Sequence, residues 1–449
     1  MGDRYNRYEE LGRLGQRRWS GAMYEEFLKE LSGAKGMAIY KEMINNDDVI
    51  SAVTKTIELL ARQASFYVKP ASDQDKDKKC AEFVQSCIDD LNNSFTNVIS
   101  EMLSFISYGW AWHEIVYKMR RGASRDPRQN SKFDDGLIGW RKLPIRSQDS
   151  LFQWIVEDDT DDVVALNQHP PPSYNECIIP IEKSIHLIST SIKENPEGKS
   201  IWRGAYRAWY FKKRIQEIEG IGVERDLAGL PFIRTPESFD WSAAIGDDAI
   251  PEVKQLIDNA TDIVQNIRRD SAEGVVLPFG WELTLLSTGG SRQFDTNSII
   301  ERYDSRIAMV GLADFILLGH QNVGSFALAS SKTNMFSIAL GTYLNIITQA
   351  MNTQAIPRLV DLNSNTFSDI TAYPTLEHSD VETPDLAELG TFIKDMVGVG
   401  VLIPGQALEK YLRQAAKLPE ETEETENKPT PNANTEPDKP KDKPKEKQK

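Results

Sequence analysis

From Asp47 the run DDVISAVTKTIELLARQ places apolar residues at Ile50, Val53, Ile57, Leu60 and Ala61. Those spacings of three and four residues line one face of a helix, and the acidic pair before them is a natural cap. ASFYVKP then alternates apolar and polar positions and stops at Pro70, which predicts a strand. Helical spacing returns in CAEFVQSCIDDL and in FTNVISEMLSFISYG, and WAWHEIVYKM alternates again as one strand. Asp135-Gly136 marks a turn into LIGWRKLPIR, and FQWIV, DVVAL and IHLIS read as further short strands. Upstream, residues 1–36 are polar and charged, with an amphipathic helix expected from Met23 to Leu31.

The pattern changes after Gly198. SIWRGAYRAWYFKKRIQEIE, Ser200 to Glu219, predicts one long helix with apolar residues at Ile201, Ala205, Ala208, Trp209, Ile215 and Ile218, and arginines at 203, 207 and 214 on a second face. A small unit follows: the strand FIRTP, the helix PEVKQLIDNATDIVQNIRR opened by Pro251, and GVVLP and WELTLLS as two strands around Phe279-Gly280. A second long helix is expected from about Ser298 to Leu318, begun by the capping-box spacing Ser298-x-x-Glu301. The small-residue stretch GHQNVGSFALASS leads to a third, roughly Lys332 to Ala355, stopped near Pro357. The fold class is therefore α+β: a mixed body, then two long helices flanking a compact insert.

Composition narrows the reading. With 449 residues, 40% hydrophobic and 27% charged, the chain is long enough for several substructures and ordinary for a globular protein. The opening residues carry no secretory pattern, and the most apolar stretch, Ile307 to Leu318, is interrupted by Asp314 and too short for a bilayer, so no membrane association is expected. Cys80, Cys87 and Cys177 make no disulfide framework; the first two lie two helical turns apart and are expected to be buried thiols. The net charge of −15 argues against tight phosphate binding, although an acidic wall around a DNA conduit would keep the polymer from adhering. From Pro419 onward the sequence holds no Leu, Ile, Val or aromatic residue, only Pro, Glu, Thr, Asn, Lys and similar polar types with a single Ala, and is expected to be disordered.

Chemistry is sparse. Glu197-Gly198-Lys199-Ser200, between a strand and a helix, has the context of a phosphate-binding loop, but the position that needs the first glycine holds Lys193. His113-Glu114 lacks the second histidine of a zinc hydrolase, and the run Glu157, Asp158, Asp159, Asp161, Asp162 lacks the alternating ligands and glycine of a calcium loop. GVGVLIP, Gly398 to Pro404, lacks the third glycine of a dinucleotide fingerprint. No catalytic residue, metal or cofactor is expected.

Four stretches together resemble the portal proteins of tailed bacteriophages, closest to the Mu-like branch. Phe95 to Lys118 is similar to the helix-then-strand segment of the portal wing. Pro196-Glu197-Gly198-Lys199-Ser200 is similar to the Pro-x-Gly-x-Ser lead into the first stem helix. Ser298 to Gly319 is similar to the second stem helix, and Gly324 to Leu340 to the tunnel loop and the helix after it. The resemblance, spanning about Asp47 to Leu418, implies a portal-type layout: an N-terminal arm (1–46), an α/β wing (47–198), a first stem helix (199–220), a small α/β clip (221–293) and a second stem helix (294–318). A tunnel loop (319–331), a long wing helix (332–360), a short crown-like helical region (361–418) and a disordered tail (419–449) complete it.

In that family the subunits close into a ring, usually dodecameric, at one capsid vertex. The implied partners are other copies of the chain, the terminase large subunit, the major capsid and scaffolding proteins, head-tail connectors, and double-stranded DNA passing non-specifically through the channel. The implied DNA-facing loop residues are Gly319, His320, Gln321, Asn322, Val323, Gly324 and Ser325, and the implied stem contacts are Arg203, Arg207, Trp209, Arg214, Arg302 and Arg306. Two other readings stand beside it: another connector or minor head protein, or a metal-dependent nuclease assembled from ordinary acidic residues.

Overall fold

The computed structural model describes residues 12–398 except 158–159, 191, 229, 245–249, 267–275, 287–294, 315–325 and 380–385, together with 405 and 409. The chain divides into two units, Met1–Val381 and Glu382–Lys449. The first opens with a small hairpin, β1 (Arg18–Trp19) and β2 (Ala22–Met23). Its turn glycine, Gly21, has a φ of +74° and lies against the Trp154 backbone, so a side chain there has no room. The expected helix from Met23 to Leu31 does not form. Instead Glu25 reaches Lys193 at 3.4 Å and Glu26 pairs with Arg203, which holds the segment along the surface, and only Lys29–Leu31 make a single 3-10 turn.

Helix α1 (Gly33–Asn46) follows, burying Gly36, Met37, Tyr40 and Met43. Helix α2 (Asp48–Ala61) is capped as its sequence predicts: the Asp47 carboxylate accepts from the Ile50 N–H at 3.0 Å, and Ile50, Val53, Ile57 and Ala61 are buried. Then come β3 (Phe66–Lys69), α3 (Asp75–Asp89), α4 (Phe95–Met102) and α5 (Ser104–Tyr108), the last ended by Gly109. Cys80 and Cys87 are buried on α3, as expected, while Cys177 is exposed. Burial pushes both buried thiols up to about 11.

WAWHEIVYKM is two strands, not one: β4 (Trp110–Glu114) and β5 (Val116–Met119). The break falls at Ile115, whose N–H leaves the ladder to donate to the Lys183 carbonyl at 2.6 Å. Strands β6 (Ile138–Lys142), β7 (Ile145–Arg146), β8 (Leu151–Val156), β9 (Val163–Gln168), β10 (Cys177–Pro180) and β11 (Ser184–Ile188) complete the strand-rich part. They form small antiparallel sheets in the orders β10-β9-β8, β11-β4-β7 and β5-β6. His113-Glu114 ends β4, where Glu114 pairs with Arg146 and the imidazole is fully buried. Of the acidic run, Asp161 pairs with Arg18 at 2.6 Å in the β8–β9 turn, and Asp158 and Asp159 lie outside the described residues.

A 3-10 turn, Ile201–Gly204, leads into helix α6 (Tyr206–Ala228). The insert consists of β12 (Leu230–Arg234), helix α7 (Pro251–Asn266) and β13 (Glu282–Leu286). WELTLLS pairs with FIRTP, not with GVVLP: β12 and β13 run antiparallel from Leu230 opposite Leu286 to Arg234 opposite Glu282. Val276, Leu277 and Pro278 are not in a strand; Val276 is almost fully exposed, and Pro278 brings no N–H to a ladder. Helix α8 (Thr296–Val310) is capped by Asp295, which accepts from the Asn297 and Ser298 N–H groups, so the helix starts three residues before the capping box that Ser298 suggests.

Helix α9 (Phe326–Ala350) begins six residues before the expected Lys332, so Phe326 to Ser331 are helical and not loop. Nor does the helix stop at Pro357. A π-helical turn, Met351–Ala355, passes directly into α10 (Ile356–Asp361), where the proline sits in the first turn and needs no N–H of its own. The wider turn aims two amides at strand edges. Asn352 exchanges hydrogen bonds with the Leu376 N–H and C=O at 2.7 and 3.0 Å, and Gln354 does the same with His186 at 2.7 and 3.1 Å. Asn363 repeats the device on Ile138 at 2.8 and 2.9 Å. Each side chain acts as one extra residue of a ladder, satisfying backbone groups that burial would otherwise orphan.

Strand β14 (Thr375–His378) returns to pair with β3, so the segment expected to open a crown-like region belongs to the main body as far as His378. One core cluster runs through this body, joining Met43, Ile50, Ile99, Phe105, Trp140, Trp202, Leu344 and Ile347. A smaller cluster gathers Met23, Trp110, Trp112, Trp154, Leu166 and Ile179. The second unit carries helix α11 (Leu386–Gly398), where the sequence places a short helical region.

Candidate assembly surface

The lead into α6 is fixed by a backbone crossing. Gly109 and Gly198 both have positive φ, +98° and +53°, and each faces the other's segment so closely that a Cβ on either would overlap a carbonyl oxygen. Ser200 then locks the turn: its hydroxyl donates to the Ser107 carbonyl at 2.6 Å and accepts from the Trp202 N–H at 3.1 Å. This geometry also disposes of the nucleotide reading. The Lys199 N–H is spent on the Ser189 hydroxyl at 3.1 Å and the Gly198 N–H on the Asn195 carbonyl at 3.2 Å, so neither amide of the Gly-Lys pair is free for a phosphate.

Alongside the crossing, Glu197 receives a hydrogen bond from the Trp154 indole at 3.2 Å. Burial pushes its carboxyl up to about 7, against that hydrogen bond. His186, whose ring meets Trp112 and Trp154 at tilted angles, is pulled down by burial to about 4. This aromatic box holds the wall from which α6 departs.

One face of α6 is committed within the subunit. Arg203 grips Glu26 through Nε and an Nη at 2.8 and 2.7 Å, Tyr206 donates to Glu30 at 3.0 Å, and Lys213 pairs with Glu42. Trp209 is buried in the main core, at 6% exposure. Deepest on this face is Lys212, 1% exposed. Its ammonium lies 2.6 Å from Asp304 on α8, 2.6 Å from Asp48 and 3.0 Å from Asp47, both at the start of α2. Burial alone would pull Lys212 down, but the carboxylates outweigh it and hold the ammonium above the usual lysine range. Burial pushes Asp304 up against the pull of Lys212, while the Lys212 hydrogen bond lowers Asp48.

The other face of α6 is open. Arg207, Tyr210, Phe211, Arg214, Ile218 and Ile221 are exposed, at helical spacing. Across from them on α8, Tyr303 stacks on Phe211 with ring centroids 6.4 Å apart and planes 19° apart. Arg207 lies over Phe211 at 5.9 Å, Arg214 over Tyr210 at 5.7 Å, and Arg302 and Arg306 over Tyr303 at 5.3 and 5.9 Å. Between the helices is a groove of about 440 Å³ lined by Arg207, Ala208, Phe211, Tyr303, Arg306 and Val310.

Of the six arginine and tryptophan positions that the sequence marks as contacts, Arg207, Arg214, Arg302 and Arg306 thus share one outer surface. Arg203 and Trp209 are used inside the subunit. The loop residues Gly319 to Ser325 lie outside the described residues. The Lys212 cluster was not foreseen; its only sequence signals are a lysine in the apolar stripe of a long helix and the Asp47-Asp48 pair, which reads simply as a cap. Among the described residues no group of three or more His, Cys, Asp or Glu side chains is placed to hold a metal ion, and no helix is long and apolar enough to cross a membrane.

Fold and surface together define an α+β protein whose paired helices carry a small insert between them and an open, arginine-rich face. The family of the portal protein of Mu bacteriophage matches residues 37–418, and the chain belongs to that family, a structural and not an enzymatic component of the phage virion. Among solved structures it is similar to a chain of the virion of a native gene transfer agent particle, with a TM-score of 0.51 and 12% identity over 88% of this chain and 94% of that one. It also matches an HK97-family phage portal protein from Corynebacterium diphtheriae, with a TM-score of 0.37 and 12% identity over 77% of this chain and 94% of that one.

Proposed function

We propose that this chain is the subunit of a portal ring at one capsid vertex, through whose centre DNA is packaged and later ejected. The observation that carries the proposal is the helix–insert–helix arm, α6, then β12, α7 and β13, then α8, in a chain that belongs to the portal family. In this reading residues 1–46 are an N-terminal arm and 47–198 the wing, α6 and α8 are the stem, the insert is the clip that meets terminase and then the head-tail connectors, and α9 with α10 ties the stem back to the wing. Residues 382–418 are the crown-like end.

The committed face of α6 secures the stem to its own wing, which leaves the outer face for neighbouring copies. The residues from Gly319 to Ser325 are the segment that meets DNA: they hold one His and no Lys or Arg, suited to loose touch and not to grip. The surplus of acidic residues, a net charge of −15 per copy, keeps packaged DNA from adhering to the wall. Antibody against the chain should label a single vertex of tailed particles. Labelling spread over all vertices, or confined to the tail, would contradict the proposal.

A further inference from the structure

We propose that the groove between α6 and α8 is a carboxylate-receiving site, filled by an acidic side chain of the neighbouring copy of this chain and gripped by Arg207 and Arg306 over the Phe211–Tyr303 floor. The proposal rests on the ring reading above and names what joins the copies.

The first ground is an unmatched charge. Among the described cations, Arg203 in the turn before α6 and Lys212, Lys213 and Arg214 on α6 each have a carboxylate within 3.3 Å. Arg207 is the exception, and on α8 Arg302 and Arg306 share its condition: among the described residues none of the three enters an ion pair, and each meets only an aromatic ring. Exposed guanidiniums gain little from water-screened pairs, but in a groove that a partner closes, a fork of N–H donors on a carboxylate is shielded and directional. Resting on ring faces also holds the two guanidiniums in place before the partner arrives, which lowers the ordering cost of binding.

The second ground is the rim. Phe211, in the groove itself, is 41% exposed, and beside lining residues in sequence Tyr210 at 40%, Met309 at 60% and Leu312 at 41% exposure add apolar surface. Arginine, aromatic residues and methionine together are the composition of a protein interface core. A phosphate track would favour lysines and arginines in a wetted row and would leave these apolar surfaces in water. The third ground is supply: a second copy brings 67 acidic against 52 basic residues, so its surface offers the complementary charge. A face that receives and a different face that gives is the head-to-tail contact that a closed ring requires.

The double variant Arg207→Glu/Arg306→Glu tests this in the full-length chain. Because both side chains are exposed and unpaired within the subunit, its circular dichroism and thermal unfolding should match the wild type. Mass photometry across a concentration series should show ring assembly shifted at least tenfold to higher concentration, and Arg207→Lys/Arg306→Lys should shift it less. A photo-crosslinking benzoylphenylalanine placed at Met309 should capture an Asp- or Glu-bearing peptide of a second copy, including when duplex DNA is present. Rings formed equally well by the double variant would overturn the groove while leaving the ring intact, as would crosslinks to DNA alone. Wild-type protein that never assembles would remove the ring reading and this proposal with it.

Discussion

Lys212 on α6 and Asp304 on α8 lie 2.6 Å apart in the interior, and through the same ammonium both helices are tied to Asp47 and Asp48 at the head of α2. A single cation thus joins three elements that are far apart in sequence. The cluster sets three carboxylates around one ammonium, beside the core residues Val53, Trp209 and Ile307 of the same three helices.

Replacing Lys212 with Met keeps the stem of the side chain and removes the charge. Asp47 and Asp304, both largely buried, then lose their counter-ion, at a cost of about 3–5 kcal/mol, while Asp48 stays mostly in water. The expected result is a lowered denaturant midpoint with unchanged slope, read by urea unfolding of the purified subunit. A variant as stable as the wild type would show that the cluster contributes nothing.

His113 supplies a pH dependence. Buried in β4 with its Nδ1 2.9 Å from the Leu143 carbonyl, it is pulled by burial from 6.5 to about 4. The folded pKa is depressed, so the unfolded chain takes up the proton first. The stability it contributes is complete above pH 6.5 and is lost as pH falls towards 4, by up to about 3 kcal/mol. His186 acts in the same direction. Glu197, raised to about 7, acts in the opposite one, its destabilising charge vanishing as pH falls from 7 to 4.5. His113→Gln should therefore flatten the fall in melting temperature between pH 6.5 and 4; an unchanged slope would count against a neutral buried imidazole.

How much of this was legible beforehand follows from where the forces are local. Helix α2 was readable because its cap, Asp47, and its stripe from Ile50 to Ala61 lie within fifteen residues. The helix–insert–helix plan was readable for the same reason. Helix α1 was not singled out, since its buried face is made of Gly36, Met37, Tyr40 and Met43 among polar neighbours, a weak apolar signal. The expected N-terminal helix failed because Glu25 and Glu26 are claimed by Lys193 and Arg203, partners more than 160 residues away. The pairing of β12 with β13, the continuation of α9 past Pro357 and the Lys212 cluster all depend on such distant partners. At the candidate surface, the sequence marked arginines on both helices but not which of them the subunit keeps for itself.

The glycine crossing offers a sharper structural test. Gly198→Ala combines a positive φ with overlap on the Gly109 carbonyl, a backbone group with little freedom to give way, and a close approach to the Ile188 side chain. The variant should accumulate as insoluble or destabilised protein, whereas Lys199→Ala, at the exposed neighbouring position, should behave as wild type in a thermal melt. Equal behaviour of the two would mean that the crossing is not needed to set the arm on the body.

Asn363 tests the ladder-mimicking amides. Asn363→Leu preserves volume but leaves the Ile138 N–H and C=O without their partner, at about 1–3 kcal/mol. Hydrogen exchange at the Ile138 amide should accelerate in the variant beyond its global loss of stability. Unchanged protection there would show that water or a neighbour replaces the side chain.

The central claim is that this chain assembles. Electron micrographs of the purified full-length protein at micromolar concentration are the most direct test: the account predicts closed rings of one size with a central opening wide enough for duplex DNA, about 20 Å or more across given the duplex grooves and backbone. Fields containing only monomers, or open filaments without a channel, would contradict it.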